Sequence, residues 1–433
     1  MNIHQTYQVT LHYLYEQLPM FQRIGPAAFK KDLGNIQALM EALGNPHECF
    51  RSIHVAGTNG KGSVAHMLSA ALQAQGYKTG LYISPHYRDF RERIKIDGRY
   101  ISKKEIIAFV DTHRELMERI RPSFFEITVA MAFDCFCRKK VDVAVVEVGL
   151  GGRLDSTNII HPVLSIITNI SYDHQQFLGD TLPEIAGEKA GIIKAGIPVV
   201  IGETHPETRQ VFQDKAAREH APISFADQLW EAVLIRSDLT HSYYRIKKNG
   251  QIIYDEIPVN LHGDYQKMNL QTFMEACSVL NQSSSLSLSR EAVLDGSARL
   301  KELTRFIGRW QILGEHPTIL TDSAHNEGGL RPVLRQIATL PYRQLHMVIG
   351  TVADKEVEKV LELFPKNARY YFAKADVPRG LDARLLQQKA AAFGLHGRAY
   401  SSVRNALRAA KRHADPEDLI FVGGSIFVVA EVV

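Results

Sequence analysis

The chain has 433 residues, 45% apolar and 23% charged, with a net charge of +4. That length exceeds what one hydrophobic core usually serves, so two domains are expected, and the near balance of charge excludes binding to nucleic acid or a membrane surface by bulk electrostatics. No apolar run approaches the roughly 18 residues of a membrane span, and the N-terminal segment lacks the basic and apolar regions of an export signal. The four cysteines, Cys49, Cys135, Cys137 and Cys277, are too few for a disulfide framework, and only Cys135 and Cys137 are close in sequence. A reducing cytoplasm is therefore the expected setting.

Short apolar runs at Ser52–Ala56, Thr79–Ser84, Val141–Val148, Leu164–Asn169 and Ile197–Ile201 read as buried parallel strands. Helical patterns fall between them at Lys61–Gln75, Lys103–Arg119, Phe125–Arg138 and Pro183–Lys194, which predicts an α/β nucleotide-binding layout. From Trp230 to Leu261 the texture turns β-rich, and Asn249-Gly250 signals a hairpin, so a small antiparallel appendage is expected. A helix from Gln266 to Leu280 and a serine-rich stretch, Gln282–Ser289, place a domain junction nearby. After Arg299 the alternation resumes: strands at Thr318–Thr321, Leu345–Gly350, Arg369–Lys374 and Asp418–Gly423, with helices starting at Glu327, Lys355, Leu381 and Val403. The expected domains are 1–298 and 299–433.

The sharpest local signal is Ser52-Ile53-His54-Val55-Ala56-Gly57-Thr58-Asn59-Gly60-Lys61-Gly62-Ser63, a strand that enters a glycine-rich turn and opens a helix. Backbone N–H groups and the helix N-terminus there can surround phosphate, Lys61 adds a charge, and Ser63 adds a hydroxyl near bound magnesium. The strict P-loop spacing is absent, because Val55 and Gly62 stand where glycine and Ser or Thr are usual.

The string Gly57 to Ser63 resembles the phosphate loop of the folylpolyglutamate synthase and dihydrofolate synthase family, a branch of the Mur ligase superfamily. Further matches follow in order: Ser84-Pro85-His86, Arg91-Glu92-Arg93-Ile94, Phe125-Glu126, Glu147 to Asn158, Asp173-His174 and Glu188-Lys189-Ala190-Gly191. Gly308-Arg309-Trp310, Asp322-Ser323-Ala324-His325-Asn326 and Gly424-Ser425 continue the resemblance into the second domain. It implies an α/β fold of two domains. The first is a P-loop domain like the Mur ligase central domain, with a mostly parallel sheet and the antiparallel appendage; the second is Rossmann-like.

The resemblance also implies roles. ATP is bound by Gly57, Thr58, Asn59, Gly60, Lys61, Gly62, Ser63, Asn269, Arg309 and Asp322. Mg2+ is held by Ser84, Glu147 and His174; a hard cation prefers oxygen, so His174 is the unusual member. Taken singly, a glutamate ending a strand is more often a surface charge. Lys189 corresponds to a lysine carried as a carbamate, which requires a neutral amine and so burial or neighbouring cations. Phe124, Phe125, Glu126, Leu154, Asp155 and Ser156, with the loop at 24–26, correspond to the folate site. His325 and Ser425 match positions that meet glutamate. Lys61, Lys189 and His325 are the implied catalytic residues.

The implied reaction joins L-glutamate to dihydropteroate or to reduced folates, with ATP and Mg2+, in a cytoplasmic monomer. The substrate carboxylate takes the γ-phosphoryl group of ATP, and the glutamate amine then displaces phosphate, with His325 or a water as base. Two other readings stand at this point: a Mur-type ligase acting on a muramyl nucleotide, and a P-loop switch without ligase activity. Gly62 and the Gly149–Asn158 loop count against the first, and Arg309, Asp322 and His325 against the second.

Overall fold

The computed structural model describes residues 2–19, 32–283, 286–353 and 357–433. The loop at 24–26 lies outside the described residues. The chain divides into two compact units, one formed by Met1–Asn260 with Gln266–Phe306, the other by Leu261–Tyr265 with Ile307–Val433.

The first unit is built on eight strands: β1 (Arg51–Ala56), β2 (Thr79–Tyr82), β3 (Ile94–Ile96), β4 (Arg99–Tyr100), β5 (Val143–Glu147), β6 (Leu164–Ile167), β7 (Val199–Ile201) and β8 (Ile223–Phe225). Their order is β4-β3-β2-β5-β1-β6-β7-β8. From β2 through β8 the pairing is parallel, and β3 and β4 add an antiparallel edge. Helices cover both faces, so β5 reads Val-Ala-Val-Val-Glu with every residue buried. Each fully buried aliphatic side chain contributes about 1.5–3 kcal/mol.

The parallel strands β2, β5, β1 and β6 are neighbours, so the loops leaving their carboxyl ends share one edge of the sheet. That is where open α/β sheets bind ligands.

Most expected elements are present with ends shifted by a residue or two, but two helices differ in substance. The stretch expected as one helix, Lys103–Arg119, is two, Lys103–Thr112 and Arg114–Ile120, broken at His113, whose ring packs 4.8 Å from that of Phe109. The helix expected to reach Lys194 ends at Ala190. There the backbone of Arg153 crosses Gly191 so closely that a Cβ would lie 2.4 Å from the Arg153 Cα.

The appendage is a three-stranded antiparallel sheet of β9 (Trp230–Ser237), β10 (Ser242–Lys248) and β11 (Gln251–Val259). Asn249 and Gly250 both have positive φ, 49° and 81°, as a tight hairpin turn requires. Trp230 Nε1 donates to Glu275 at 2.8 Å and ties the sheet to the helix Gln266–Ser283.

The cysteine expectation is corrected. Cys49 and Cys137 form a disulfide, with Cα atoms 5.3 Å apart across a sequence separation of 88. The short turn Pro46–Glu48 packs beside the helix Phe124–Arg138, which brings together two residues that nothing local relates.

The second unit is a six-stranded sheet of β12 (Gln311–Glu315), β13 (Thr318–Asp322), β14 (Leu345–Ile349), β15 (Arg369–Ala373), β16 (Gly397–Tyr400) and β17 (Leu419–Gly423). The order is β12-β13-β17-β14-β15-β16, parallel except for β12. β12 and β16 were not foreseen: β12 leaves every residue at least partly exposed, and β16 is only half-buried, so neither carries the apolar run of a central strand. The helix expected from Lys355 is described from Val357.

Candidate active site

The phosphate loop leaves β1 and enters the helix Lys61–Ala74. Two of its glycines are dictated by close neighbours. A Cβ on Gly57, where φ is +143°, would sit 1.9 Å from Thr168 Oγ1, and one on Gly60, where φ is +85°, would sit 2.2 Å from Asn269 Oδ1. Asn269 thus packs against the loop.

The end of β6 holds the first half of the turn. The N–H groups of Thr58 and Asn59 donate to the backbone oxygen and to Oδ1 of Asn169, at 2.9 and 2.8 Å. Thr168 Oγ1 donates to the carbonyl of Asn59. Those two N–H groups are therefore turned inward. The first helical bond runs from Val64 N to Gly60 O, which leaves the N–H groups of Lys61, Gly62 and Ser63 ahead of the helical ladder. Lys61 Nζ donates to the carbonyls of Gly57 and Thr58, at 2.9 and 3.1 Å. The donors that the loop could offer a phosphate are those of the first helical turn.

Glu147, at the end of β5, is buried, and both its carboxylate oxygens lie 3.8 Å from where a Gly62 Cβ would be. Ser84, just past β2, donates its N–H to Glu147 Oε2 at 3.3 Å. His174 sits at positive φ, 52°, at the start of the short helix Gln175–Leu178, with its ring 3.8 Å from the Asp173 carboxylate. The structure thus brings Ser84, Glu147 and Gly62 together. Among the described residues no cluster of three or more His, Cys, Asp or Glu side chains has metal-holding geometry. The oxygen donors of Ser84 and Glu147 beside the phosphate loop nevertheless suit a hard divalent cation.

Lys189 is buried at the C-terminal end of the helix Leu182–Ala190. Burial, reinforced by the Lys61 charge, brings its ammonium down to about 7. Beside it, Arg153 donates its N–H to the Glu188 carbonyl and its guanidinium to Glu188 Oε1, both at 2.8 Å. Asn158 Nδ2 reaches the carbonyls of Arg153 and Gly191, each at 3.1 Å. The Gly149–Asn158 loop is thereby laced onto the helix that carries Lys189.

Phe125 lies against this loop, so that a Cβ on Gly149 would sit 2.4 Å from its ring. Phe124 is buried, with Arg93 5.2 Å above its ring. The Glu126 carboxylate closes a capping box with Ser123, which donates its N–H at 2.5 Å. Asp155 accepts from Leu150 N at 2.8 Å and from Thr157 N at 3.0 Å. These two carboxylates shape their own loops. Leu154 and Ser156 remain half-exposed.

In the second unit Asp322 is buried and accepts from Trp310 N, Ala324 N and Tyr265 Oη, at 2.8, 2.8 and 2.6 Å, with Arg309 3.9 Å away. These bonds hold donors from the Tyr265, Trp310 and Ala324 segments in place. His325 Nδ1 donates to the Ser323 carbonyl at 3.0 Å, which puts the ring's basic lone pair on Nε2. Ser425 caps the helix Ile426–Ala430 through Phe427 N. Two clefts of about 550 and 440 Å³ lie elsewhere, lined by none of these residues.

Thr168, Asn169 and Arg153 were not foreseen. The Thr-Asn pair ending an apolar strand was the available signal for the first two; Arg153 had none beyond its place in the glycine loop.

A parallel sheet with a phosphate loop, an acidic side chain poised over it and a separate α/β unit define an ATP-dependent ligase. The chain matches the Mur ligase middle domain over residues 55–277 and the Mur ligase glutamate ligase domain over residues 308–426. It is 33% identical over 415 residues to the dihydrofolate synthase/folylpolyglutamate synthase of Bacillus subtilis, covering 93% of this chain and 94% of that one. The chain belongs to the folylpolyglutamate synthase/dihydrofolate synthase family. It spans only about half the length, 47%, of a Haloferax volcanii relative described as a probable bifunctional folylpolyglutamate synthase/dihydropteroate synthase, 35% identical over 92% of this chain. Among solved structures, E. coli FolC in complex with DHPP and ADP superposes with a TM-score of 0.85 at 28% identity, over 98% of this chain and 96% of that one. A bifunctional folylpolyglutamate synthase/dihydrofolate synthase with Mn, AMPPNP and L-glutamate bound gives 0.82 at 30% identity, over 98% and 97%. Among the described residues no helix is long and apolar enough to cross a membrane.

Proposed function

We propose that this chain joins L-glutamate to dihydropteroate and to reduced folates at the expense of ATP, as a cytoplasmic monomer. The observation that carries the reading is the Glu147 carboxylate standing over Gly62, in the first turn of the phosphate-loop helix, with Ser84 beside it. The ligands in the two solved relatives, DHPP with ADP and L-glutamate with an ATP analogue, support the substrate set.

In this reading the N–H groups of Lys61, Gly62 and Ser63 and the Lys61 ammonium hold the β- and γ-phosphates. Ser84 and Glu147, with His174, would hold a magnesium ion, which when bound neutralises charge on the transferring phosphoryl group. Asn269, Arg309 and Asp322 complete the nucleotide contacts. The acceptor lies against Phe124, Phe125 and the loop of Leu154, Asp155 and Ser156, with Glu126 shaping that wall. Its carboxylate oxygen attacks the γ-phosphorus and ADP departs. The glutamate amine, bound near His325 and Ser425, then attacks the acyl carbon; His325 Nε2 takes the amine proton and phosphate leaves. Lys189 as a carbamate would place a further anion near Lys61.

The test is purified protein with ATP, Mg2+ and labelled glutamate, offered dihydropteroate, a tetrahydrofolate or a muramyl nucleotide. Incorporation into the first two supports the reading. Incorporation only into the muramyl nucleotide, or phosphate release indifferent to every acceptor, overturns it.

A further inference from the structure

Beneath the Gly149–Asn158 loop runs a buried polar chain that the ligation steps leave unused. His54 sits mid-strand in β1 with no exposure, and its Nε2 is 2.8 Å from Thr157 Oγ1. The Thr157 hydroxyl donates in turn to Asp155 Oδ1 at 2.5 Å, an oxygen that also accepts the Thr157 N–H. Asp155 Oδ2 accepts from Leu150 N, one residue from the Gly149 that packs on Phe125.

The protons in this chain can be assigned. A hydroxyl has one hydrogen, and Thr157 gives it to the carboxylate, so Nε2 of His54 must carry the other and donate. Nδ1 is then the bare nitrogen, and it is buried with no hydrogen-bond partner. Burial lowers the imidazole to about 3, so the ring is neutral. A merely structural histidine would be expected to satisfy both nitrogens; this one leaves an acceptor orphaned in a parallel strand where valine would pack without that cost. What the arrangement achieves is a single orientation for Asp155.

We propose that His54 and Thr157 are positioning residues for the acceptor site: they lock the Asp155 carboxylate so that it draws Leu150 inward and sets the wall that Phe125 and Gly149 present to the pterin-bearing substrate. The inference rests on the assignment of Asp155 and Phe125 to that site. It makes acceptor affinity depend on a strand whose far end carries the phosphate loop, without altering nucleotide binding.

The test compares Thr157→Val, which keeps shape but loses the hydroxyl, with Thr157→Ser, which keeps it, and His54→Leu with His54→Gln, which keeps an N–H donor. KM for dihydropteroate should rise about 10- to 100-fold in Thr157→Val and His54→Leu. It should stay within about 2-fold of the parent in Thr157→Ser, with KM for ATP and the calorimetric Kd for ADP unchanged throughout. Asp155→Asn is the reference. Should Asp155→Asn raise KM for dihydropteroate while Thr157→Val and His54→Leu do not, the relay is overturned and the acceptor site stands. If none of these variants moves that KM, the site assignment fails and the relay with it. A rise in KM for ATP equal to that for the acceptor, accompanied by a lower Tm, reduces the residues to a structural role and overturns the proposal.

Discussion

The N–H of Ser84 donates to Oε2 of Glu147 across 3.3 Å, although 63 positions separate them in the chain. The bond orients a buried carboxylate beside the first turn of the phosphate-loop helix. Replacing Glu147 with Gln keeps the shape and an acceptor for Ser84 but removes the charge. Glu147→Gln is expected to lower kcat about 100-fold or more and to raise the magnesium concentration needed for half-maximal rate. Steady-state rates titrated with magnesium check it; an unchanged metal requirement would remove Glu147 from the ligand set.

Lys189 titrates unusually low, about 7 against an ordinary 10.5, because it is buried and faces Lys61. Between those values the unfolded chain binds a proton at Lys189 that the folded chain does not, so stability rises with pH across that window. Below about 7 both states are protonated and the cost of the buried ammonium is fully present. Lys189→Met should flatten this rise in denaturant melts taken from pH 6 to pH 10. Because only the neutral amine reacts with carbon dioxide, carbon-13 bicarbonate should produce a carbamate resonance that grows as pH passes 7 and is missing in Lys189→Met. No such resonance at any pH would rule out the modification.

Gly149 packs under the ring of Phe125 with no room for a methyl group. Gly149→Ala should displace the ring and raise KM for the folate acceptor by about 10-fold while leaving KM for ATP alone. Initial rates with each substrate varied in turn decide it. An effect on ATP alone would contradict the placement of this loop in the acceptor site.

In the second unit, Asp322 gathers three donors from separate segments. Tyr265→Phe removes one charge-assisted bond and should cost about 1.5–3 kcal/mol in urea melts. Asp322→Asn should cost more, since one amide oxygen cannot serve the same donors. If Tyr265→Phe melts like the parent, the bond contributes nothing and the grouping is incidental.

Strands β1, β2, β5, β6 and β7 of the first sheet were legible because a parallel strand covered on both faces is a continuous apolar run, as Val143–Glu147 shows. The edge strands β12 and β16 were not, since partial exposure removes that signal. Within the site, Gly57 to Ser63 stood out by residue type and by position at a strand end, and Glu147 only through the resemblance. Asn169, which takes up the N–H of Asn59, did not, because an asparagine after a strand reads as an ordinary turn residue.

Periodicity was enough for an α/β chain of two domains, because it records local hydrogen bonding and burial along the chain, and the ordered motifs carried the resemblance to this family. Contacts between residues far apart in the chain depend on how strands are ordered and how loops cross, and a linear pattern does not encode them. Folding alone decided that Cys49 meets Cys137, that Arg153 crosses Gly191 beside Lys189, and that His54 reaches Asp155 through Thr157. In each case partners distant in sequence become neighbours only once the sheet has put β5 and β6 on either side of β1 and closed the helices over it.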